Sequence, residues 1–397
     1  MNKWGAMAMA VLVAATVSVL AGPAEELLAG AERSEAGLIA MAESRPLAQP
    51  ENGKGRPTLD AVALEALLLA FQDVGFNKDL SLDHKAPAAK ALAALRKKYN
   101  LPELAAMLPR LLANANPAVR AQVVSMIGGG IFGADTASVK AVSGLLANES
   151  DPGVLYALIR GFANEGGKRP VVGEFLVKCL DNPEPLVRRW AVLQACSSWN
   201  TRTPNLTEKL AEMMASEPDV EVRKAILGYA GKLGNDALLV PAYEAALKSI
   251  TDQKLLAKAV EGLTALWWGY PLYNFASEPA YRLTLKFLSE FRPEKLESSA
   301  FTMLSPLGSM VSAPSRGFDA WKEKSAAWYQ PAEVRAAVLP FFTTISYSSP
   351  WRNAALKALI AHGATKDELS ALVDQLAADG DKEFTLNGFR STIEKMK

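Results

Sequence analysis

Cysteine and histidine are scarce in this chain, and neither acidic nor basic residues are in excess. Only two cysteines and two histidines occur among 397 residues. The scarcity of cysteine excludes a fold that depends on a disulfide framework. His84 and His362 stand apart from any Cys, Ser or carboxylate pattern that would indicate a zinc site or a catalytic triad. We therefore expect no metal site and no cofactor.

Charge of one sign is also lacking. Lys and Arg together number 43 and Asp and Glu number 42, while half of the residues are hydrophobic. A nucleic-acid-binding protein normally needs a basic face that displaces counterions from phosphates. The composition therefore predicts a folded protein with no nucleic-acid partner.

The first 21 residues have the pattern of a secretory signal peptide. Lys3 is followed by an apolar stretch over residues 5–20. Val19, Leu20 and Ala21 then provide small or medium-sized side chains at the cleavage positions. This pattern predicts cleavage after Ala21 and export, with a periplasmic or secreted mature protein and no stable membrane insertion. The alternative is an uncleaved membrane anchor, because the stretch has about the minimum length that spans a bilayer.

A short motif recurs along the middle of the chain. It combines Asp or Asn, Pro and Val, in several copies with Arg directly after the Val, and its valines are 35, 33 and 35 residues apart. Such a period is typical of a two-helix solenoid repeat. The valines are Val119, Val154, Val187 and Val222, and Leu256 continues the series.

The residues around each of these anchors predict a helix–turn–helix unit. Asp or Asn accepts hydrogen bonds at a helix start, and Pro suits the first turn. Mostly apolar residues follow at the fourth, seventh and eighth positions after the anchor, with Gln194 as the clearly polar exception. A second apolar stripe follows, as over residues 172–180 and 239–247. Gly166, Gly231 and Gly234 lie between the helices, where we expect left-handed turn conformations.

Residues 219–228, with 231–238 after them, resemble a HEAT repeat. The resemblance implies an all-α fold, an α-α superhelix (a HEAT-like solenoid) of antiparallel helix pairs, whose second helices usually line a concave partner-binding surface. Leu155 and Ala257 replace the Arg that this family has after the anchor. We predict a signal peptide over 1–21, an N-terminal helix and linker over 22–58, HEAT-like repeats over 59–265, and divergent repeats with a cap over 266–397. The N-terminal helix is expected between residues 22 and 43, and a further helix is expected over residues 101–114.

The predicted repeats place Cys179 and Cys196 near the far ends of neighbouring antiparallel helices. About ten residues of helical rise, roughly 15 Å, would separate them. Because this exceeds the reach of a disulfide, we predict two buried free thiols.

An aromatic segment follows the regular repeats, where a helix should end. Its candidate partner-binding residues are Trp267, Trp268, Tyr270 and Tyr273. Aromatic side chains in a loop are good anchors for a partner. The alternative is that they fill an irregular joint between the regular repeats and the divergent last third, since large aromatic side chains are usually buried.

The sequence favours a non-catalytic scaffold that binds a protein or another macromolecule. One alternative is a cell-wall enzyme, because Glu297-Ser298, with Phe301 and Ser305, faintly resembles the catalytic segment of lytic transglycosylases. In that family the Glu is a general acid in an apolar pocket. A third hypothesis is a structural subunit of an envelope assembly.

Overall fold

The structure, a computed structural model, describes residues 22–50, 53–133, 136–196, 203, 205–269, 275–293, 295–309 and 317–396. The predicted signal peptide over 1–21 lies outside these residues. The chain divides into two compact units, one ending at Gly161 and the other beginning at Phe162. The predicted start of the divergent repeats at residue 266 therefore lies inside the second unit.

The described part of the first unit is built from helices and connecting segments. Its helices are α1 Pro23–Ala29, α2 Glu35–Glu43, α3 Ala61–Leu69, α4 Pro87–Lys98, α5 Leu108–Leu112, α6 Pro117–Ile127, α7 Thr136–Asn148 and α8 Pro152–Phe162. Short 3-10 helices follow α3 and α6, at Ala70–Asp73 and Gly129–Gly133. Among the described residues, backbone pairing of the β type is confined to isolated bridges, such as that between Phe76 and Leu82.

The second unit continues the same alternation of helices. They are α9 Pro170–Cys179, α10 Pro185–Ala195, α11 Leu206–Ser216, α12 Val220–Tyr229, α13 Asp236–Ser249, α14 Gln253–Ala265, α15 Glu278–Glu290, α16 Phe318–Ser325, α17 Pro331–Thr343, α18 Ser349–Ala361, α19 Lys366–Ala378 and α20 Glu383–Glu394. Further 3-10 helices lie at Ala163–Glu165, Ala230–Leu233 and Ser298–Met303.

Within each unit a helix packs mainly on the next helix and on the helix two places along the chain. In the second unit α10, α12 and α14 form one row, and α11, α13, α15 and α17 form another. In the first unit α1 packs on α3, α2 on α4, and α5 on α7. This two-row packing of helix pairs confirms the predicted fold class, an all-α stack of the α-α superhelix type.

The anchor positions of the predicted repeats are core positions. Val119, Val154, Val187 and Val222 are fully buried, and Leu256 is 5% exposed. The helix starts also follow the prediction, since the side chains of Asn116 and Asp219 accept hydrogen bonds from backbone N–H groups at the starts of α6 and α12. Burial of one stripe on each helix is the main stabilising contribution of such a stack.

The repeat Arg makes the same set of bonds in two places. The Arg120 guanidinium donates two hydrogen bonds to the Glu149 carboxylate, at 2.8 and 2.9 Å, and one to the carbonyl of Asn114. Arg188 bonds to Glu217 and to the carbonyl of Asn182 in the same way. We call each Arg–Glu pair an arginine clip. Each clip joins the loop before the first helix of one repeat to the loop before the first helix of the following repeat.

The first helices of the three other repeats, α8, α12 and α14, carry no clip. Leu155, in place of Arg, is buried, and Ala257 is buried as well. Arg223 donates to the carbonyl of Met214 instead of binding a carboxylate. Because an uncharged side chain offers no donors, the interruptions at 155 and 257 follow from the sequence. The interruption at Arg223 does not, since the expected Arg is present there.

Three local predictions were wrong. Residues 22–43 form two helices, because Gly30 ends α1 and Ser34 caps the start of α2. The helix expected over residues 101–114 is only Leu108–Leu112. Gly166 and Gly231 do not take left-handed conformations, whereas Gly234 does, with φ of 77°.

Gly231 lies in the 3-10 helix that follows α12, and its lack of a side chain allows this segment to pack closely against α14. A methyl group on Gly231 would collide with the carbonyl of Gly262, and one on Gly262 would collide with the carbonyl of Leu227. The Tyr243 hydroxyl lies at this contact, donating to the Leu227 carbonyl at 2.8 Å and accepting from the Gly231 N–H at 3.1 Å. Backbone contact and a buried hydroxyl therefore hold the two helices together.

An ion pair is buried near the end of the chain. The Arg352 guanidinium lies 2.7 Å from the Asp381 carboxylate, and both side chains are almost completely shielded from solvent. Arg352 also donates to the carbonyl of Phe342. Removing either partner of such a pair leaves an uncompensated buried charge.

Candidate functional site

Two of the four aromatic residues predicted to bind a partner lie in the core of the second unit. Trp267 is fully buried and Trp268 is 3% exposed. The Trp267 indole N–H donates to the hydroxyl of Thr284 at 3.0 Å. Tyr270 and Tyr273 lie outside the described residues.

The Trp268 ring is surrounded by other rings of the same unit. Its centroid lies 4.9 Å from that of Trp321, 6.0 Å from that of Tyr329 and 4.8 Å from that of His362. Edge-to-face and stacked contacts of this kind stabilise a core. The positions of the two tryptophans favour the joint-filling interpretation for their side chains, and partner binding by the segment stays a prediction.

His362 belongs to the same aromatic cluster and is held as a neutral ring. Its Nε2–H donates to the carbonyl of Leu307 at 3.1 Å, so its Nδ1 accepts from the Tyr329 hydroxyl at 2.7 Å. Burial lowers the pKa of His362 to about 4. A ring with both nitrogens bonded and no charge at neutral pH suits a structural role better than proton transfer.

Glu297, the general acid of the alternative enzyme hypothesis, is in contact with water. Its side chain is 47% exposed, and its carboxylate lies 3.8 Å from the Lys254 ammonium. Ser298 and Ser305 are exposed as well. A general acid of this type needs an apolar pocket that keeps its proton on at neutral pH. The exposed environment of Glu297 therefore does not support the enzyme hypothesis.

The two cysteines are free and buried, as predicted. Burial raises the pKa of both the Cys179 and the Cys196 thiols to about 12. Because the thiolate is the reactive form, both groups are inert at neutral pH. Within the described ranges no three His, Cys, Asp or Glu side chains come together in a way that could hold a metal ion.

An open groove of 840 Å³ lies in the first unit between α5 and α7. Pro109 and Leu112 line it from α5, and Ala137, Ala141 and Gly144 line it from α7. The α7 residues recur at three- and four-residue spacing and so share one helix face. Their small side chains leave backbone accessible, which allows a partner chain to approach closely.

One end of this groove is formed by the arginine clip of Arg120 and Glu149. Burial acts to raise the pKa of Glu149, but the hydrogen bonds from Arg120 and from the backbone N–H groups of Asp151 and Ser150 outweigh it. The pKa of Glu149 is therefore lowered. The carboxylate is ionised at neutral pH, and its charge is matched by that of Arg120.

Sequence reasoning did not identify this groove. Apart from the clip, its lining consists of alanine, glycine, leucine and proline together with Asn114, Lys140, Asn148 and Ser150, and these residues form no chemical motif. The one available signal was the expectation that second helices line the partner-binding surface, since α7 is the second helix of the first clear repeat. A second groove, of 410 Å³, lies in the second unit and is lined by apolar residues of α17 and α19 such as Leu339 and Leu372.

None of the helices in the described residues is long and apolar enough to cross a membrane. The chain matches no protein-family model and no curated protein. Among solved structures, it is similar to an engineered protein determined by the Northeast Structural Genomics Consortium. The two share 14% sequence identity over 74% of this chain and 97% of that chain, with a TM-score of 0.25. This similarity is too low to indicate a shared fold or function.

Proposed function

We propose that the protein is an exported HEAT-like repeat scaffold that binds a protein partner and does not itself catalyse a reaction. The observation that carries the proposal is the 840 Å³ groove between the second helices α5 and α7. In HEAT proteins the second helices usually line the surface that contacts the partner. An open groove with small side chains suits an extended or helical segment of another protein.

The arginine clips support the HEAT-like part of the proposal. Both clips join an Arg directly after an anchor valine to a Glu 29 residues later, and both bond to a carbonyl in the loop before the same helix. Two independent copies of one bond pattern, at matching positions of two repeats, are expected from a true structural repeat. Stability in such arrays comes largely from contacts between neighbouring repeats.

Export rests on the sequence of the first 21 residues, and with it a periplasmic or secreted location. Two features favour binding over catalysis. The Glu297 carboxylate is exposed beside a lysine, and His362 is fixed as a neutral ring. A structural subunit of an envelope assembly would have the same surfaces, but it would be stable only when bound to its neighbouring subunits. A monodisperse monomer in size-exclusion chromatography of residues 22–397 would argue against that variant.

A substitution that fills the groove tests the proposal. A Cβ atom added at Gly144 meets no atom within 4 Å, and Gly144 lines the groove, so Gly144→Trp should place its ring in the groove and leave the core undisturbed. Gly388 provides a matched control, since it is also in a helix and also has open space around it. We expect crosslinking in cells of the source organism, followed by mass spectrometry, to recover the same partner with the wild type and Gly388→Trp and to lose it with Gly144→Trp. Equal recovery with all three proteins would exclude the groove as the binding surface.

A further inference from the structure

The first unit also contains a cavity of 410 Å³ on the first helices of the repeats, away from the groove residues. Tyr156, Ala157 and Arg160 of α8 line one side, and Gln122 and Ser125 of α6 line another. Residues 76–84, in the loop before α4, close the remaining side. Its volume falls in the range of ligand pockets, and its lining is mainly apolar with a few polar groups, as such pockets usually have.

The loop wall of the cavity is held in place by specific contacts. Phe76 and Leu82 form an isolated antiparallel bridge. The Asn77 side chain accepts from the backbone N–H of Ser81 at 3.1 Å and donates to the Ser81 hydroxyl at 2.6 Å. The Phe76 ring packs directly on Gly153, where any added side chain would collide with it. The cavity is therefore a built feature and not a gap beside a loose loop.

Arg160 gives the cavity a net positive charge. Its guanidinium donates to the Tyr156 hydroxyl at 3.2 Å and lies over the Tyr156 ring, 5.7 Å from the centroid. Within the part of the chain that the structure describes, no carboxylate comes within ion-pairing distance of Arg160, and no Asp or Glu lines the cavity. Other Arg side chains of the same unit, such as Arg120, do pair with carboxylates. The Arg160 charge is therefore available to a ligand.

The rest of the polar and aromatic lining consists of hydroxyl and amide groups, the His84 imidazole and three aromatic rings. The Gln122 amide carries two N–H donors, and the Ser81 hydroxyl can donate, because its bond with Asn77 uses it as an acceptor. Phe71, Phe76 and Tyr156 supply aromatic surface. A single guanidinium with neutral donors matches a monoanion such as a carboxylate, whereas a phosphate would require more positive charge or a cluster of N–H groups.

We infer that this cavity binds a carboxylate carried on an apolar, preferably aromatic, body, with Arg160 as the counter-ion. The inference goes beyond the proposed function and does not depend on the groove between α5 and α7. The same chemistry occurs in a free aromatic or aliphatic acid and in the C-terminal residue of a polypeptide. These two sources differ in whether chain preceding the carboxylate adds contacts.

The test uses N-acetyl-phenylalanine and its amide as probes, with binding to residues 22–397 measured by calorimetry and by ligand-observed NMR. We expect saturable binding of the acid and binding at least roughly tenfold weaker of the amide, because a charge-assisted hydrogen bond is lost. Arg160→Met should weaken binding of the acid to a similar extent. Arg160→Lys keeps the positive charge and should bind the acid more tightly than Arg160→Met does. Arg96→Met removes an exposed positive charge of the same unit outside the cavity and should change nothing.

One peptide arm identifies the source of the carboxylate. A peptide that ends in Phe with a free carboxylate should bind more tightly than N-acetyl-phenylalanine if a polypeptide terminus is the ligand, and no more tightly if it is a free acid. The inference is overturned if the acid and its amide bind equally, if Arg160→Met binds the acid as the wild type does, or if neither probe binds saturably. The crosslinking experiment on Gly144 tests only the groove, and the binding experiment tests only the cavity. Failure of one proposal therefore leaves the other untouched.

Discussion

Replacing Gly262 by alanine tests the close contact between α12 and α14. The added methyl group would collide with the Leu227 carbonyl and would lie only 2.9 Å from Cζ of Tyr243, where ordinary contacts are 3.4–4 Å. Neither neighbour can yield cheaply, because one is helix backbone and the other is a fully buried ring. The helices must therefore separate, and both hydrogen bonds of the Tyr243 hydroxyl are weakened.

The magnitude follows from these two effects. Forcing an extra methyl group into a packed interior costs about 1–3 kcal/mol. Leaving a buried polar group without its partner costs about 1–3 kcal/mol more. We expect Gly262→Ala to lower the free energy of unfolding by roughly 2–6 kcal/mol. Each kcal/mol corresponds to about 2–4 °C in Tm for a unit of this size, so the shift should be roughly 4–24 °C.

The assay is thermal and urea unfolding followed by circular dichroism, with Gly388→Ala as the control. Gly388 lies inside α20 of the same unit and has open space around it. At that position alanine should stabilise the protein by about 0.5–1 kcal/mol through helix propensity. Tyr243→Phe should fall between the two, since it removes the hydroxyl without a collision. If Gly262→Ala and Gly388→Ala change Tm alike, the argument from close packing is wrong.

Four further outcomes can be checked on the purified protein. Glu149→Gln should cost about 3 kcal/mol at neutral pH. Because the folded pKa of Glu149 is lowered from 4.5, the difference from the wild type should shrink as the pH falls below that value, as measured by urea unfolding. Alkylation of the native protein should leave Cys179 and Cys196 unlabelled, whereas denaturation without reductant should give a mass shift of two labels; no label would indicate a disulfide. Arg352→Met should cost about 3–5 kcal/mol, because Asp381 would be buried without its partner. Trp267→Ala should cost about 3–5 kcal/mol, since a fully buried ring is removed, and a small change in Tm would favour an exposed, partner-binding role instead.

The regular part of the fold could be predicted because its signals are local. A cap, a proline and a valine lie within a few residues of one another, and their spacing repeats along the chain, as at Asn116 and Asp219. The single helix expected over residues 101–114 does not form, and the reason is also local. Pro102 and Pro109 both fall within that stretch, and a proline is best tolerated in the first turn of a helix, which is where Pro109 lies in the short helix Leu108–Leu112.

The close contacts and cavities could not be predicted, because they join residues far apart in the sequence. From the sequence alone, Gly231 is interpreted as a turn glycine. The structure shows that it is needed for the close contact with Gly262 on α14. In the same way, nothing near Arg160 in the sequence indicates that the loop carrying Phe76 lies against Gly153. Spacing rules describe one helix at a time, whereas these features depend on which helices meet.

The arginine clips have a consequence for how freely the sequence can change. Where a clip is present, after Val119 and Val187, one carboxylate and a few backbone carbonyls help to fix the step to the next repeat, so the apolar side chains carry less of that task. The seventh position after the anchor is Met126 in one of these two repeats and the polar Gln194 in the other. Residue identity at such a position can therefore change while the register is kept. Relatives of this chain are better sought by an Arg–Glu pair 29 residues apart, recurring along a helical array, than by overall sequence similarity.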